Sequence, residues 1–259
     1  MARERLDVLP RDDVFATLGS VGVHEAAWTR WAARAGAVGF VVSSAACTAV
    51  PSPPAAAFPM VSPSSLGSGV TRFRAQASAG IMPGFTAPGG IAIGLGAGHG
   101  LHDVMDFGVE ARAVRLFTDR AVEMHPLISS GRISLKYTRW PGIALSSGLG
   151  GGGWAGGGFL SPDVAVIFGR HEPGLRGFLI FDAAVSVPFA RQPVAVGDAD
   201  DMVEPVLPTT SWWLATTVGF RFALADPCAP VFMLALSLGI TWAGDATGMV
   251  QAVTLGLEL

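Results

Sequence analysis

Four stretches of this 259-residue chain carry residue types able to do chemistry. His99, His102 and Asp103 put two imidazoles at H-x-x-H spacing beside a carboxylate, which is the start of a metal site. Such a site needs three or four converging ligands, and His171, on the same inferred rim, belongs to another hairpin. Residues 114–131 gather Asp119, Glu123, His125, Ser129 and Ser130, the acid, base and nucleophile types of a hydrolase. These types are common, and their spacing alone does not bring them within reach of one another. Residues 188–211 hold Asp198, Asp200, Asp201 and Glu204, hard oxygen ligands suited to Ca²⁺ but without the EF-hand pattern. Finally, "GLGGGGWAGGG" at 148–158 contains a G-x-G-x-x-G match. A dinucleotide loop needs a helix after it, and no helical period follows. The plainer readings are polar residues in contact with water, a solvated acidic loop and a flexible Gly-rich loop. No enzyme activity, metal or cofactor is expected.

A second set of charges is more informative because it alternates. In "DVMDFGVEARAV" at 103–114, Met105, Phe107, Val109 and Ala111 alternate with Asp106, Gly108, Glu110 and Arg112. This is a strand with one apolar and one charged face. The direction of the charged face decides between a protein in water and one in a membrane.

The elements that position these charges repeat the same split. Ten segments of strand period are read at 70–79, 90–98, 102–113, 132–140, 142–150, 162–169, 175–187, 212–224, 231–242 and 250–259. In 231–242, for example, Phe232, Leu234, Leu236, Leu238, Ile240 and Trp242 oppose Ala235, Ser237 and Gly239. Phe178 and Ile180 blur the pattern in 175–187. The polar faces are mostly Gly, Ala, Ser and Thr, and Lys136 is the only lysine. Half of the chain is hydrophobic and only 14% is charged, against about 25% in average soluble domains. A net charge of −3 gives no reason to expect nucleic acid as a partner. No stretch reaches the ~18 uninterrupted apolar residues of a spanning helix. An apolar chain without such a span fits strands that hide their apolar residues in alternation.

The connections alternate as well. Joins near 98–101, 141, 170–174 and 225–229 are short; those near 81–88, 114–131, 151–161, 188–211 and 243–249 are longer. Over 70–259 the pattern resembles bacterial outer-membrane β-barrel proteins, with short periplasmic turns, long outer loops and both termini inside. Trp140, Phe220, Phe222 and Phe232 fall at the expected periplasmic girdle, Trp212 and Trp242 at the outer one. Such barrels usually end in Phe or Trp; here the last residue is Leu259.

The resemblance implies an all-β, antiparallel up-and-down transmembrane barrel of about ten strands. Phe107 and Val109 then meet lipid. Arg72, Arg74, Asp106, Glu110, Arg112, Arg132, Lys136, Asp163, Arg176, Asp182, Arg221 and Glu258 face the lumen. Buried charges must pair or be hydrated. Paired, they fill a small barrel that conducts nothing; hydrated, they line a narrow porin-like passage with slight anion preference. The expected role is a non-enzymatic envelope protein of the outer membrane, structural or binding through its outer loops. The passive channel is the alternative, with an outer-membrane hydrolase and a soluble ligand-binding barrel behind it. The expected partners are outer-membrane lipids and the barrel-insertion machinery, with the chain a monomer and any ligand unidentified.

Ahead of the strands, residues 24–47 read as a signal peptide. Arg30 and Arg34 form a basic flank, and Ala35–Ala46 is a short apolar run. Ser44-Ala45-Ala46 before Cys47 resembles the lipobox of bacterial lipoproteins, with Ser44 where that family usually has Leu. The resemblance implies lipid attachment at Cys47; ordinary cleavage nearby is the competing reading. Glu4, Asp7, Asp12 and Asp13 are foreign to a signal n-region, so within the signal region 1–46 the true start is expected downstream of residues 1–23. Residues 47–69 are rich in Pro, Ser and Ala and read as an extended tether without a core of its own. Cys228, in "DPCAP", is left free if Cys47 is lipidated and is otherwise available to pair with it.

Overall fold

The computed structural model describes residues 52–55, 61, 63–81, 89–117, 127–169, 174–196, 204–224, 229–244 and 246–259. The signal region with Cys47, and Cys228, lie outside these residues. The described residues form twelve strands, beginning with β1 (Thr71–Ile81), β2 (Gly89–His102), β3 (Met105–Phe117), β4 (Leu127–Trp140), β5 (Ile143–Trp154), β6 (Gly157–Gly169) and β7 (Gly174–Phe189). They continue as β8 (Val194–Val196), β9 (Glu204–Val206), β10 (Ser211–Ala223), β11 (Val231–Ala243) and β12 (Ala246–Glu258). Ten of them close into a barrel, in order β1-β12-β11-β10-β7-β6-β5-β4-β3-β2, and β8–β9 form a separate hairpin.

Every wall pairing is antiparallel, and β1 closes on β12 through Ala77↔Leu255 and its flanking pairs. Closure leaves no sheet edge unpaired, which a strand structure in lipid requires. The burial of side chains is inverted relative to a soluble fold. Leu236 is 64% exposed, whereas its neighbours Ala235 and Ser237 are 1% and 6% exposed. Phe73, Leu95, Val164, Phe220 and Leu255 likewise stand outside. An apolar exterior around a polar, small-residue interior is the surface of a membrane-spanning barrel. Trp212 of β10 is in register with Trp242 of β11 at one rim. Tyr137 and Trp140 meet edge to face at the other, 5.8 Å apart.

The rims differ in their connections. One, the turn end, carries the β2–β3, β4–β5, β6–β7 and β10–β11 joins and the entry to β1. The other, the loop end, carries residues 82–88, 118–126 and the β7–β10 connection with its β8–β9 hairpin. Two connections expected to be long loops are tight turns: Trp154 pairs with Gly157, and Ala243 with Ala246. The Gly-rich stretch 148–158 is therefore mainly strand, in β5 and the start of β6, and not a flexible loop. Gly157 has φ +109°, which a side chain would strain, so glycine suits the corner. The β2–β3 turn falls at 103–104, slightly later than the alternation suggested.

Candidate functional site: an occupied lumen

Strand alternation turns a distinct set of side chains inward. On β3, Asp106 and Arg112 are buried and Glu110 is partly so, whereas Met105, Phe107 and Val109 are exposed. Arg72 and Arg74 project from β1, Arg132 and Lys136 from β4, Asp163 from β6, and Arg176 and Asp182 from β7. Arg221 and Glu258 come from β10 and β12; all of these are buried or half-buried.

These charges are organised along the wall. Lys136 Nζ lies 2.8 Å from Asp106 Oδ2, and Arg72 Nη1 lies 3.2 Å from Glu258 Oε1. Arg132 reaches past β5 to Asp163, with Nε donating over 2.7 Å and Nη2 making a second bond. Two parallel donors to one carboxylate is the strongest geometry open to this pair. Gln76 Nε2 donates to Glu110 Oε1 at 2.8 Å, and Arg112 Nη2 stands 3.6 Å from the same oxygen. Each of these contacts joins residues on the same strand or on strands one or two places apart. None of them needs to cross the lumen.

The centre is taken by the chain itself. The described residues of the Pro/Ser/Ala-rich stretch, Ser52–Ala55, Val61 and Pro63–Leu66, pack against the inner wall of the barrel. At the loop end Ser52 is fully buried. Its hydroxyl shares a 2.9 Å hydrogen bond with that of Ser186, and its amide donates to Thr209 O at 3.2 Å. Ser211 Oγ donates to Ser52 O. Further in, Ser130 Oγ donates to Ala55 O at 2.9 Å, and Ala55 packs with Ile128 and Phe159. Val61 belongs to one buried apolar cluster with Ala144, Ala165, Ile167, Phe178, Ile180 and Met233. Near the turn end, Lys136 Nζ donates to Ser64 O at 2.5 Å. The Asp106 carboxylate accepts from Ser65 Oγ at 3.0 Å and from Leu66 N at 3.1 Å. The described residues thus reach both rims, Ser52 at the loop end and Leu66 at the turn end.

Glycines make the room. A Cβ built at Gly150 would sit 2.3 Å from the Ala55 Cβ, and one at Gly148 would sit 2.5 Å from Arg132 Nε. The G-x-G-x-x-G match is a bed for the threaded segment and for an arginine.

Among the described residues the other candidate chemistry does not assemble. His99 Nδ1 is 2.8 Å from Thr71 Oγ1 at the turn end, and His102 and Asp103 are exposed beside it. Among the described residues no three His, Cys, Asp or Glu side chains converge as a metal site would require. Of the hydrolase set, Asp119, Glu123 and His125 lie outside the described residues. Ser130 is committed to Ala55 within the wall. Asp198, Asp200, Asp201 and His171 also lie outside the described residues.

Sequence reasoning missed the threaded segment and its apolar bed. Phe178 and Ile180, which blurred the alternation in β7, point inward. An apolar residue on a lumen face was the available signal, because it requires a partner inside.

No protein family and no curated protein matches the sequence. Among solved structures, the N-terminal β-barrel domain of Pseudomonas aeruginosa OprF aligns at 12% identity and TM-score 0.31, covering 74% of this chain and 99% of that one. Neisserial surface protein A (NspA) aligns at 12% identity and TM-score 0.31, over 73% and 96%. The outer membrane protein OprG from Pseudomonas aeruginosa aligns at 11% identity and TM-score 0.32, over 75% and 99%. The architecture rests on strand pairing and burial, not on these weak likenesses.

Proposed function

We propose that the protein is a non-enzymatic outer-membrane β-barrel of a bacterial envelope, sealed at rest, serving structurally or binding through the loops at its loop end. The carrying observation is a lumen occupied at both ends and in between by Ser52–Ala55, Val61 and Pro63–Leu66, inside a wall whose large apolar side chains face outward. A sealed lumen leaves no passage for solute, and an apolar belt needs lipid to cover it. The loop end, with the longest connections, is the side available to a partner. A lipid at Cys47 would add a second anchor to the barrel's own. Fractionation tests the location: the full chain is expected in outer-membrane fractions and soluble only with detergent. Recovery as a soluble protein without detergent would overturn it. In a planar bilayer the intact protein is expected to be silent.

A further inference from the structure

The seal is made by a segment that is not part of the wall. The barrel's ten strands close on one another through β1 and β12. The threaded segment is bound mainly by side chains: Ser186, Ser211 and Ser130 toward the loop end, Lys136 and Asp106 toward the turn end. It can leave without breaking a rung of the barrel. The ion pairs named above run along the wall and do not bridge the lumen. Around the segment the wall offers small and polar groups, among them Gly98, Gly108, Ser134 and Ser146. Inward-facing bases (Arg72, Arg74, Arg112, Arg132, Lys136, Arg176, Arg221) outnumber the acids (Asp106, Glu110, Asp163, Asp182, Glu258). A hydrated lumen with that balance attracts anions.

We propose that Ser52–Ala55, Val61 and Pro63–Leu66 act as a plug held by their own chain, that Asp106 and Lys136 are its latch, and that the wall around them encloses an aqueous, anion-preferring pore. The latch is specific to main chain. Asp106 takes the amide of Leu66 and the hydroxyl of Ser65, while Lys136 donates to the carbonyl of Ser64. Each of the two charges neutralises its partner on the wall and also holds one polarity of peptide group. The inference rests on the membrane reading above and adds that the resting barrel is a closed pore, not a solid one.

The test is conductance in planar bilayers under a potassium chloride gradient. The full chain should be silent. A variant lacking residues 52–66, shown to be folded and inserted by its heat-modifiable gel mobility, should give steady currents reversing toward the chloride potential. A folded, inserted deletion variant that stays silent overturns the proposal, because side chains alone would then close the lumen. Cation-selective currents would overturn the anion preference. If the deletion variant fails to fold, the full chain decides. Asp106→Asn weakens the latch and should raise the open fraction about tenfold, the factor expected from one charge-assisted hydrogen bond. Ser52→Cys with Ser186→Cys, placed on Asp106→Asn with Cys47 and Cys228 changed to Ser, should close it again on oxidation and reopen it on reduction. Openings in Asp106→Asn that persist through the disulfide would overturn the plug. A full chain that does not enter bilayers at all overturns the membrane reading itself, and this inference with it. That outcome is distinct from an inserted but silent barrel.

Discussion

The inner wall has two chemically different sides, and the threaded chain meets each with the matching part of itself. Toward β1, β3 and β4 the wall is ionic, with Arg72, Asp106, Glu110, Arg112, Arg132 and Lys136. There the segment offers main-chain groups and serines. Toward β6, β7, β10 and β11, near the turn end, the wall adds an apolar cluster of Ile167, Phe178, Ile180, Ala223, Val231 and Met233 beside the inward-facing Arg176 and Arg221. There it offers Val61. The ionic side satisfies much of its own requirement, since its charges pair along the strands. The apolar side does not. Without an occupant, Phe178 and Ile180 would face water inside a barrel whose exterior already faces lipid. The difference shows that the segment is as much a part of the core as any strand, although it belongs to no sheet.

Substitutions can break this comparison. Arg132→Met should have the largest effect, because it leaves the Asp163 carboxyl, at 2% side-chain exposure, without its arginine. A loss of about 3–5 kcal/mol is expected from urea unfolding in detergent. Adding Asp163→Leu should recover most of that loss, since removing both partners leaves no buried charge. On the apolar side, Phe178→Ala should cost about 3 kcal/mol. The two sides should then separate in the absence of residues 52–66. The cost of Phe178→Ala should shrink because Val61 is gone, while that of Arg132→Met should hold. Equal costs with and without the segment would show that Phe178 packs on the wall alone. The smallest change concerns the loop-end attachment. Ser52→Ala removes one hydroxyl bond to Ser186 and should cost about 1 kcal/mol in the same assay.

The barrel was legible in the sequence because alternation is a local signal. Asp106, Glu110 and Arg112 against Phe107 and Val109 can be sorted onto faces without knowing any neighbour, and closure follows once the strands repeat. Connection length was less legible. Gly-rich residues 151–161 and residues 243–249 looked like loops, yet glycine on the lumen face marks a close approach, as at Gly150 beside Ala55. The threaded segment was not legible. Residues 52–66 carry the composition of a tether, and the described ones are held mainly by contacts forty or more residues away, such as Leu66 with Asp106 and Ser52 with Ser186. Phe178 and Ile180 were the one local trace of it.

The central claim is that the chain's own segment occupies the lumen. It is tested most directly by nuclear Overhauser contacts in the detergent-solubilised full-length protein. The account predicts cross-peaks from the Ala55 methyl to the Gly150 α-protons and from the Leu66 methyls to Gly98, because an added Cβ would stand 2.3 Å from Ala55 Cβ and 3.0 Å from a Leu66 methyl carbon. Their absence, in a sample that shows the β10–β11 cross-strand contacts of an intact wall, would contradict it.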